Sequence, residues 1–290
     1  IQWMQSYAKT QFKQYNGWQL SFQKDLLTTA LDGLVVFSEY TGGMLDEIIE
    51  IAVQSLGLND LEPFEPSKKI VEYAIGTEKN KLANLKLVDL INEVSTNSPA
   101  PGGGSVSALL GSLSASLCSM VASLTFHKKD YIDLRKEMSD LGVEAQLLKD
   151  RLSALIDEDT DAFNAIIKSN KLPSGTDEDR SIKKLAIKNA YQLAIDTPYE
   201  IATLCAKVLD LCVLLSRKGN PNSISDIGVA SESALAGFKG ASMNVLINLS
   251  SIEDKKIQKE MKENLDNMSK TVDSSYELTN SEVYKVMNSQ

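Results

Sequence analysis

The sequence is poor in the side chains that most often bind metals or act as nucleophiles. It has a single histidine, His127, and three cysteines without Cys-x-x-Cys spacing. A zinc site and a Ser-His-Asp triad elsewhere in the chain are thereby almost excluded. Cys118, Cys205 and Cys212 each lie in an apolar helical stretch, which indicates buried free thiols in a reducing cytoplasm. We therefore expect no metal and a cytoplasmic protein.

Positive charge is scarce as well. The 290 residues include 30 Lys or Arg and 39 Asp or Glu, which gives a net charge of -9. Its basic groups are two-residue pairs such as Lys128-Lys129 and Arg217-Lys218, too short for the basic patch of a nucleic-acid binder. Either pair would suit a small anionic ligand, although such pairs are also common on protein surfaces. Nucleic acid is not an expected partner.

Aromatic residues make up only 6% of the sequence, which disfavours a β-sandwich. Alanine, leucine and serine are abundant, and the alternation typical of strands is missing after residue 80. Residues 85–290 are therefore predicted to form an all-α helical bundle. The predicted helices cover 105–126, 130–169 as one helix or two, 176–196, 199–217, 225–250 and 253–286. Pro198 is predicted to break a helix, and Ser225 or Asp226 to cap one.

One predicted helix has no charge at all. Ser105–Phe126 has 22 residues, long enough to cross a bilayer, but seven of them are serines whose hydroxyls would need partners in lipid. Gly111, Ala115 and Ser119 would let a neighbouring helix approach closely. We interpret the segment as the buried central helix of the bundle and expect no membrane.

The first 84 residues differ from the rest in pattern. Residues 1–40 contain scattered aromatics without a clear period, with a predicted short strand at 34–37. Residues 44–56 are predicted to form an amphipathic helix with Gly57 at its C-cap. Residues 76–84 are predicted to be a polar linker. A second domain is therefore expected to begin near residue 85.

The loop Ser98-Pro99-Ala100-Pro101-Gly102-Gly103-Gly104-Ser105 is the first motif with chemical meaning. Its glycines tolerate positive φ, which would turn backbone N–H groups toward a ligand. The helix that follows favours negative charge at its N-terminus. The Lys of a Walker loop and a full dinucleotide fingerprint are missing, so ATP and NAD are disfavoured. The alternative is tight helix packing that needs small residues, and the pattern supports both equally.

The segment from Ile156 to Phe163 contains an acid on an apolar face. At about 100° per residue, Asp159 falls on the stripe of Leu152, Leu155, Ile156, Phe163 and Ile166. Burial raises the pKa of a carboxyl unless a cation pairs with it. A carboxyl with a raised pKa can serve as a general acid near neutral pH. The alternative is a buried Asp that bonds a neighbouring helix or pairs with a lysine.

Two more polar motifs follow along the chain. Residues 220–226, Asn-Pro-Asn-Ser-Ile-Ser-Asp, join two helices and offer many hydrogen-bond donors and acceptors, although a well-capped turn explains most of them. Asn244 and Asn248 lie one turn apart on a face rich in small residues. Buried amides need partners, which either a ligand with ring nitrogens and a carbonyl or a neighbouring helix would supply.

These four motifs, in this order, resemble the formimidoyltetrahydrofolate cyclodeaminases and the related methenyltetrahydrofolate cyclohydrolases. The resemblance covers residues 85–290. Residues 46–75 look like the end of a glutamate formiminotransferase domain, which precedes the cyclodeaminase in bifunctional enzymes. That segment is far too short for a transferase, and no histidine precedes residue 127. The resemblance thus implies a short α+β remnant at 1–75, a linker at 76–84 and a helical cyclodeaminase domain at 85–290.

The resemblance also implies an activity, that of an ammonia-lyase in folate one-carbon metabolism and histidine degradation. Such an enzyme closes 5-formimidoyltetrahydrofolate to 5,10-methenyltetrahydrofolate and releases ammonia, with no cofactor beyond the folate. Asp159 would be the proton donor, and the protein would form a homodimer or a larger homo-oligomer. The residues expected to bind the folate, which we expect to be polyglutamylated, are Gly102, Gly103, Gly104, Ser105, Asn220, Asn222, Ser223, Asp226, Asn244 and Asn248. Lys128 or Lys129 is expected to attract its glutamate tail.

Two alternatives remain open from the sequence. A methenyltetrahydrofolate cyclohydrolase has the same fold, and there water attacks the methenyl carbon. The transferase-like segment favours the cyclodeaminase, because that is the activity fused to a transferase. A non-catalytic helical oligomerisation module would also explain the long helix of small residues at 105–126.

Overall fold

The computed structural model describes residues 53–54, 57–60, 81–252 and 254–289. The chain divides into two compact units, residues 1–98 and 99–290. In the first unit, Gly57 has a φ of 64°, the left-handed conformation typical of a helix C-cap, and α1 spans Leu87–Val94. The predicted strand at 34–37 and most of the predicted α+β segment lie outside the described residues.

The second unit is a helical bundle, because every regular element described in it is an α-helix or a short 3-10 helix. Ser105 on the second helix bonds residue 156 on the third, and Ser119 bonds Gln146, so these two helices are antiparallel. The predicted all-α bundle is therefore confirmed for this unit. Its helices are α2 (Gly103–Phe126), α3 (Arg135–Asn170), α4 (Asp177–Lys218), α5 (Ile224–Leu249) and α6 (Lys255–Ser289).

Helix α2 is the central helix of the bundle and packs against α3, α4 and α5. Its serines bond the backbones of its neighbours: the Ser105 hydroxyl donates to the Ile156 carbonyl at 2.8 Å, and the Ser114 hydroxyl to the Ala230 carbonyl at 2.6 Å. Within the described residues, α2 alone is long and apolar enough to cross a membrane, with a mean hydropathy of 1.6. Half of that apolar stretch is buried inside the bundle, so α2 serves as a core helix here.

The three cysteines contribute to this core. Cys118, Cys205 and Cys212 are buried free thiols, as predicted. Cys118 Sγ lies 3.5 Å from Cys212 Sγ, where α2 and α4 run side by side. Burial raises the pKa of the Cys205 thiol to about 12, so this side chain stays protonated and packs as a small hydrophobic residue.

Helix α4 does not break at Pro198, contrary to the prediction. It begins with a capping box, in which the Thr176 hydroxyl accepts from the Asp179 N–H and the Asp179 carboxylate accepts from the Thr176 N–H. It then continues through Pro198 to Lys218. A proline inside a helix costs about 3 kcal/mol because a backbone hydrogen bond is lost. Burial of Ile195 and Ile201, on the turns that flank the proline, offsets that cost.

Helices α2 and α5 approach so closely that one glycine of α5 has no room for a side chain. A Cβ at Gly237 would lie 2.9 Å from both the Ser107 carbonyl oxygen and Cys205 Sγ.

We expect Gly237→Ala to lower the free energy of unfolding by about 1–3 kcal/mol, because the backbone of α2 must move. Gly142→Ala on α3 is the matched control, since its Cβ would meet only Ala122 Cβ at 3.6 Å. Alanine is the better helix former, so the control should unfold at the same temperature or higher. Equal losses in both variants, measured by thermal denaturation, would contradict the close approach.

Candidate active site

A cavity of about 500 Å³ opens where the N-terminus of α2 meets α3, α4 and the C-terminal end of α5. This volume lies in the range of pockets that bind small molecules. Asp159 is the only charged side chain among the described residues that line it. The lining residues are Pro99, Ala100, Gly102, Gly103, Gly104, Asp159, Ala162, Phe163, Ile166, Tyr191, Ala194, Asn244, Ile247, Asn248, Ser250 and Ser251.

The glycines at the start of α2 are needed for close packing rather than for unusual backbone angles. Gly102 is extended, with a φ of -127°, and Gly103 and Gly104 are helical. The predicted use of positive φ is therefore wrong for this loop. A Cβ on Gly104 would overlap the Asp159 carboxyl, and one on Gly103 would lie 3.3 Å from Asn244 Nδ2. Of the two explanations left open by the pattern, packing accounts for Gly104.

Asp159 is half-buried beneath the first turn of α2. The Ser105 hydroxyl lies 3.2 Å from Asp159 Oδ2 as a donor, and the Ser105 backbone N–H also bonds the carboxyl. Burial nevertheless raises the pKa of Asp159 above that of an ordinary aspartate, because desolvation outweighs these two hydrogen bonds. The raised pKa expected from the helical pattern is therefore found, in a group that faces a cavity. In the described structure Asp159 has no lysine partner, but it bonds a neighbouring helix through Ser105, so that part of the alternative is realised as well.

Ser105 holds this carboxyl through a shared hydroxyl. The same Oγ donates to the Ile156 carbonyl at 2.8 Å and lies 3.1 Å from Thr160 Oγ1. Since the one proton of this hydroxyl is shared between the Ile156 carbonyl and the Asp159 carboxyl, neither acceptor receives its full stabilisation. Ser105 is thus a positioning residue for Asp159, and it lies just behind the cavity wall.

The backbone at the start of α2 also faces the cavity. The first bond of the helix runs from the Val106 N–H to the Gly102 carbonyl at 3.1 Å. The N–H groups of Gly103 and Gly104 come before it and have no partner within the helix. Together with the helix dipole, these N–H groups favour an oxygen that carries full or partial negative charge, such as the ring carbonyl of a ligand.

Asn244 and Asn248 both line the cavity, and each donates one hydrogen bond to a backbone. The Asn244 amide donates to the Gly240 carbonyl on its own helix at 2.9 Å. The Asn248 amide donates to the Ala194 carbonyl at 2.8 Å and so ties α5 to α4. Both interpretations of the pattern therefore apply to Asn248, because it joins two helices and also borders the cavity.

The cavity has an apolar wall that the sequence analysis did not assign to the site. Phe163 lies one helical turn after Asp159, so the motif around Asp159 contained the signal for it. Tyr191 comes from α4, more than 30 positions after Asp159 in the sequence, and only tertiary packing brings it to the cavity. Ile166 and Ile247 complete the wall. Flat aromatic ligands suit such a surface, with polar groups at one edge.

The residues 220–226 lie at the other end of α2, so the structure does not bring them to this cavity, and their role in folate binding stays a prediction. The Asn220 backbone N–H donates to Thr125 Oγ1, near the C-terminus of α2. With 24 residues at about 1.5 Å each, α2 separates them from the cavity by roughly 36 Å. Five of the residues predicted to bind the folate do not line the cavity: Ser105, which lies behind Asp159, and Asn220, Asn222, Ser223 and Asp226.

Asn220 also replaces the predicted helix cap in this segment. Its side-chain oxygen accepts from the Asn222 N–H at 3.1 Å and caps the short 3-10 helix Pro221–Ser223 that leads into α5. Helix α5 starts at Ile224, so the predicted caps Ser225 and Asp226 already lie inside it. The same oxygen of Asn220 accepts from Lys128 Nζ at 2.8 Å.

Comparison with known proteins identifies the second unit with folate enzymes. The family described as formiminotransferase-cyclodeaminase matches residues 86–267, and the formiminotransferase domain family matches residues 39–76. The chain is 32% identical to methenyltetrahydrofolate cyclohydrolase of Methylorubrum extorquens, over 64% of this chain and 89% of that protein. It is 34% identical to formimidoyltransferase-cyclodeaminase of Mus musculus, over 71% of this chain.

The chain spans only 38% of the length of that mouse enzyme. Among solved structures, formiminotetrahydrofolate cyclodeaminase from Thermotoga maritima superposes with a TM-score of 0.63 at 27% identity. The match covers 70% of this chain and 98% of the Thermotoga chain. The helical bundle of the second unit is thus the fold of that protein.

Proposed function

The chain belongs to the formiminotransferase-cyclodeaminase family, and we propose that its second unit converts 5-formimidoyltetrahydrofolate to 5,10-methenyltetrahydrofolate and ammonia. The observation that carries the proposal is Asp159, an acid with a raised pKa at the wall of a cavity near the N-terminus of α2. The resemblance carried by the four sequence motifs implies the same residue as the proton donor. The release of ammonia requires a proton donor, and the raised pKa of Asp159 favours its protonated form.

The proposed reaction forms one bond and breaks one. N10 of the folate attacks the formimidoyl carbon and closes a five-membered ring, and its proton passes to the departing nitrogen. Asp159 gives that nitrogen one further proton, and the carbon–nitrogen bond then breaks to release neutral ammonia. The product is the methenyl cation, which faces the newly formed Asp159 carboxylate. Solvent returns the proton to Asp159 after the product leaves.

The rest of the cavity would position the two folate nitrogens for ring closure. Phe163 and Tyr191 supply aromatic surface for the pterin ring, and Asn244 and Asn248 supply amide groups at its edge. The N–H groups of Gly103 and Gly104 suit the ring carbonyl. Holding N5 and N10 close together lowers the activation free energy of ring closure, because the flexible substrate is already bound in the reactive geometry.

A second candidate, methenyltetrahydrofolate cyclohydrolase, is favoured by a specific observation. The Methylorubrum protein of that name matches over 89% of its length, whereas the mouse enzyme matches over 38% of its own. The match of residues 39–76 to the formiminotransferase domain favours the cyclodeaminase, because it gives this chain the two-part order of the bifunctional relatives.

The test is to give the purified chain each substrate separately. With 5-formimidoyltetrahydrofolate, a cyclodeaminase raises the ultraviolet absorbance of the methenyl product and releases an equal amount of ammonia. With 5,10-methenyltetrahydrofolate, a cyclohydrolase removes that absorbance and releases no ammonia. Turnover of neither substrate above the uncatalysed rate would reject both enzymes and leave the oligomerisation module.

The rate should depend on pH in a way that reports Asp159. A proton donor must be protonated, so kcat should fall as the pH rises through the pKa of Asp159, which burial places above the ordinary range. The descending limb should therefore lie on the alkaline side of the profile. In Ser105→Ala the carboxylate loses a stabilising hydrogen bond, so the limb should move to higher pH. If kcat of Ser105→Ala fell at the same pH as kcat of the wild type in the same buffers, the titrating group would not be Asp159.

A further inference from the structure

The proline inside α4 frees a backbone carbonyl at the wall of the cavity. Pro198 has no N–H, so it cannot donate to the carbonyl four residues earlier, which belongs to Ala194. Ala194 lines the cavity and is buried, with 5% of its surface exposed. A buried carbonyl without a partner costs free energy. The proline therefore creates an acceptor in the cavity wall that lacks its usual helical donor.

The side chain of Asn248 takes the place of the missing N–H. Its Nδ2 donates to the Ala194 carbonyl oxygen at 2.8 Å, from α5 to α4. Asn244 lies one turn earlier on α5 and lines the same cavity, but its Nδ2 donates to the Gly240 carbonyl on its own helix at 2.9 Å. The two asparagines have the same chemistry. They differ because Asn248 faces a carbonyl that a proline has left without its helical donor.

This bond fixes the orientation of the Asn248 amide. A carbonyl oxygen only accepts hydrogen bonds, so the group that meets Ala194 must be the NH2 end of the amide. The oxygen end is then left to accept a hydrogen bond from a ligand. Without the bond to Ala194 the amide could turn by about 180°, since the terminal torsion of an asparagine side chain is broad and roughly two-fold.

A pterin ring distinguishes the two orientations of such an amide. The pyrimidine part of the ring carries a carbonyl, a ring N–H and an amino group along one edge, so donors and acceptors have fixed places there. An amide oxygen at Asn248 accepts from one of these N–H groups, whereas a turned amide would place two donors against each other. Unpaired polar groups in a binding site lower the affinity. The orientation of Asn248 therefore matters for binding a folate.

We propose that Pro198 is a positioning residue of the folate site, which acts by leaving the Ala194 carbonyl free to hold the Asn248 amide in one orientation. This inference rests on the function proposed above. Pro198 is buried and does not line the cavity, so it acts on the ligand through Asn248. The hydrogen bond that α4 loses at this proline thus orients a polar group of the site.

Pro198→Ala should separate stability from substrate binding. Alanine restores the N–H, which bonds the Ala194 carbonyl within α4, and alanine is the better helix former, so Tm should equal or exceed that of the wild type. The Asn248 amide then loses its anchor. KM for 5-formimidoyltetrahydrofolate should rise about fivefold to tenfold, the usual effect of one lost hydrogen bond. Because Asp159 is untouched, kcat should stay within about twofold. A proline needed only for packing would instead lower Tm and leave KM unchanged.

A double-mutant cycle tests the link through Asn248. In the wild-type background, Asn248→Ala leaves the Ala194 carbonyl buried without a partner and should lower Tm. In the Pro198→Ala background the helix already satisfies that carbonyl, so the same change should lower Tm much less. The KM of the double variant should equal that of Asn248→Ala alone. Additive changes in Tm and KM would overturn the proposal, as would an unchanged KM in Pro198→Ala.

Asn244 provides the matched control, because it lines the same cavity but bonds its own helix. Asn244→Ala should change KM and Tm by the same factor and by the same number of degrees whether residue 198 is proline or alanine. Equal coupling of Pro198 to Asn244 and to Asn248 would show a general distortion of the cavity wall, which would also overturn the proposal.

Ligand binding separates this inference from the proposed reaction. If the wild type turned over neither folate, the proposed function would fail, and the Kd for 5-formyltetrahydrofolate would replace KM in the same cycle. Coupling between Pro198 and Asn248 in both Tm and Kd would still support the positioning role. A wild type that bound this probe no more tightly than Pro198→Ala would overturn it.

Discussion

Asp159→Asn should lower kcat for ammonia release by about 10² to 10⁴, the usual contribution of a positioned general acid. Asparagine has the shape of aspartate and can still accept the hydrogen bonds from Ser105, so the cavity keeps its form. It has no proton to give to the departing nitrogen. KM should change little, because the substitution removes a group that acts in the transition state. The measurement is the steady-state rate of methenyl absorbance and ammonia release.

Asp161→Asn is the matched control for that variant. Asp161 lies on the same helix two residues later, is exposed, and does not line the cavity. Its rate should stay within about twofold of the wild type, as for most exposed substitutions. An equal loss in both variants would show that charge on α3, rather than the acid at 159, controls the rate.

Stability separates loss of chemistry from loss of fold. Because the folded-state pKa of Asp159 is raised, its contribution to stability is present at low pH and is lost as the pH rises through that pKa. An asparagine side chain does not ionise, so Asp159→Asn should equal or exceed the wild type in Tm, and its advantage should grow as the pH rises through the raised pKa of Asp159. A variant that is inactive and also less stable at every pH would point to a structural defect.

Gly104→Ala is the second change with a large expected effect. The added methyl group would overlap the Asp159 carboxyl, which must then leave its place beneath α2. A displacement near 1 Å of a catalytic group costs about 10² in rate, and we expect a loss of that size in kcat. The rate measurement is the same as for Asp159→Asn, with far-ultraviolet circular dichroism to confirm that the helices remain.

Gly142→Ala adds the same methyl group on α3 outside the cavity, where its nearest atom is Ala122 Cβ at 3.6 Å. This contact is ordinary, so the control should keep most of its activity. A double-mutant cycle makes the argument sharper, because Gly104→Ala should destabilise the wild type but not Asp159→Ala, where the carboxyl is gone. Equal destabilisation in both backgrounds would mean that Gly104 is required for another reason.

The sequence predicted the bundle and its acid because both depend on local patterns. The helical period placed Asp159 on an apolar stripe, and the cavity wall follows from that position. The continuity of α4 was missed because the local sequence shows only the free-energy cost of Pro198 inside a helix. The tertiary burial of its neighbours, which offsets that cost, is visible only in the structure. Tyr191 was missed for a related reason, since it reaches the cavity only through the packing of α4 on α3.

The segment around Asn220 shows a different limit. Its polar residues were predicted to join the folate site, but order along the chain carries no information about distance across a bundle. Helix length would have been the available signal. Residues 220–226 follow the end of α4, a full helix segment beyond Tyr191 and Ala194, which line the cavity, so they lie at the far end of the bundle.

The contact between Gly104 and Asp159 links the evolution of two positions that lie 55 residues apart in the sequence. While the acid is present, purifying selection should keep glycine at 104, because any side chain there displaces the carboxyl. A lineage that loses the acid is released from this restriction. Alanine at position 104 would then be tolerated, and it would stabilise the helix because alanine is the better helix former. Substitutions at the two sites should therefore occur together and in order, the acid first, so position 104 would serve as a marker of descendants that have given up the chemistry.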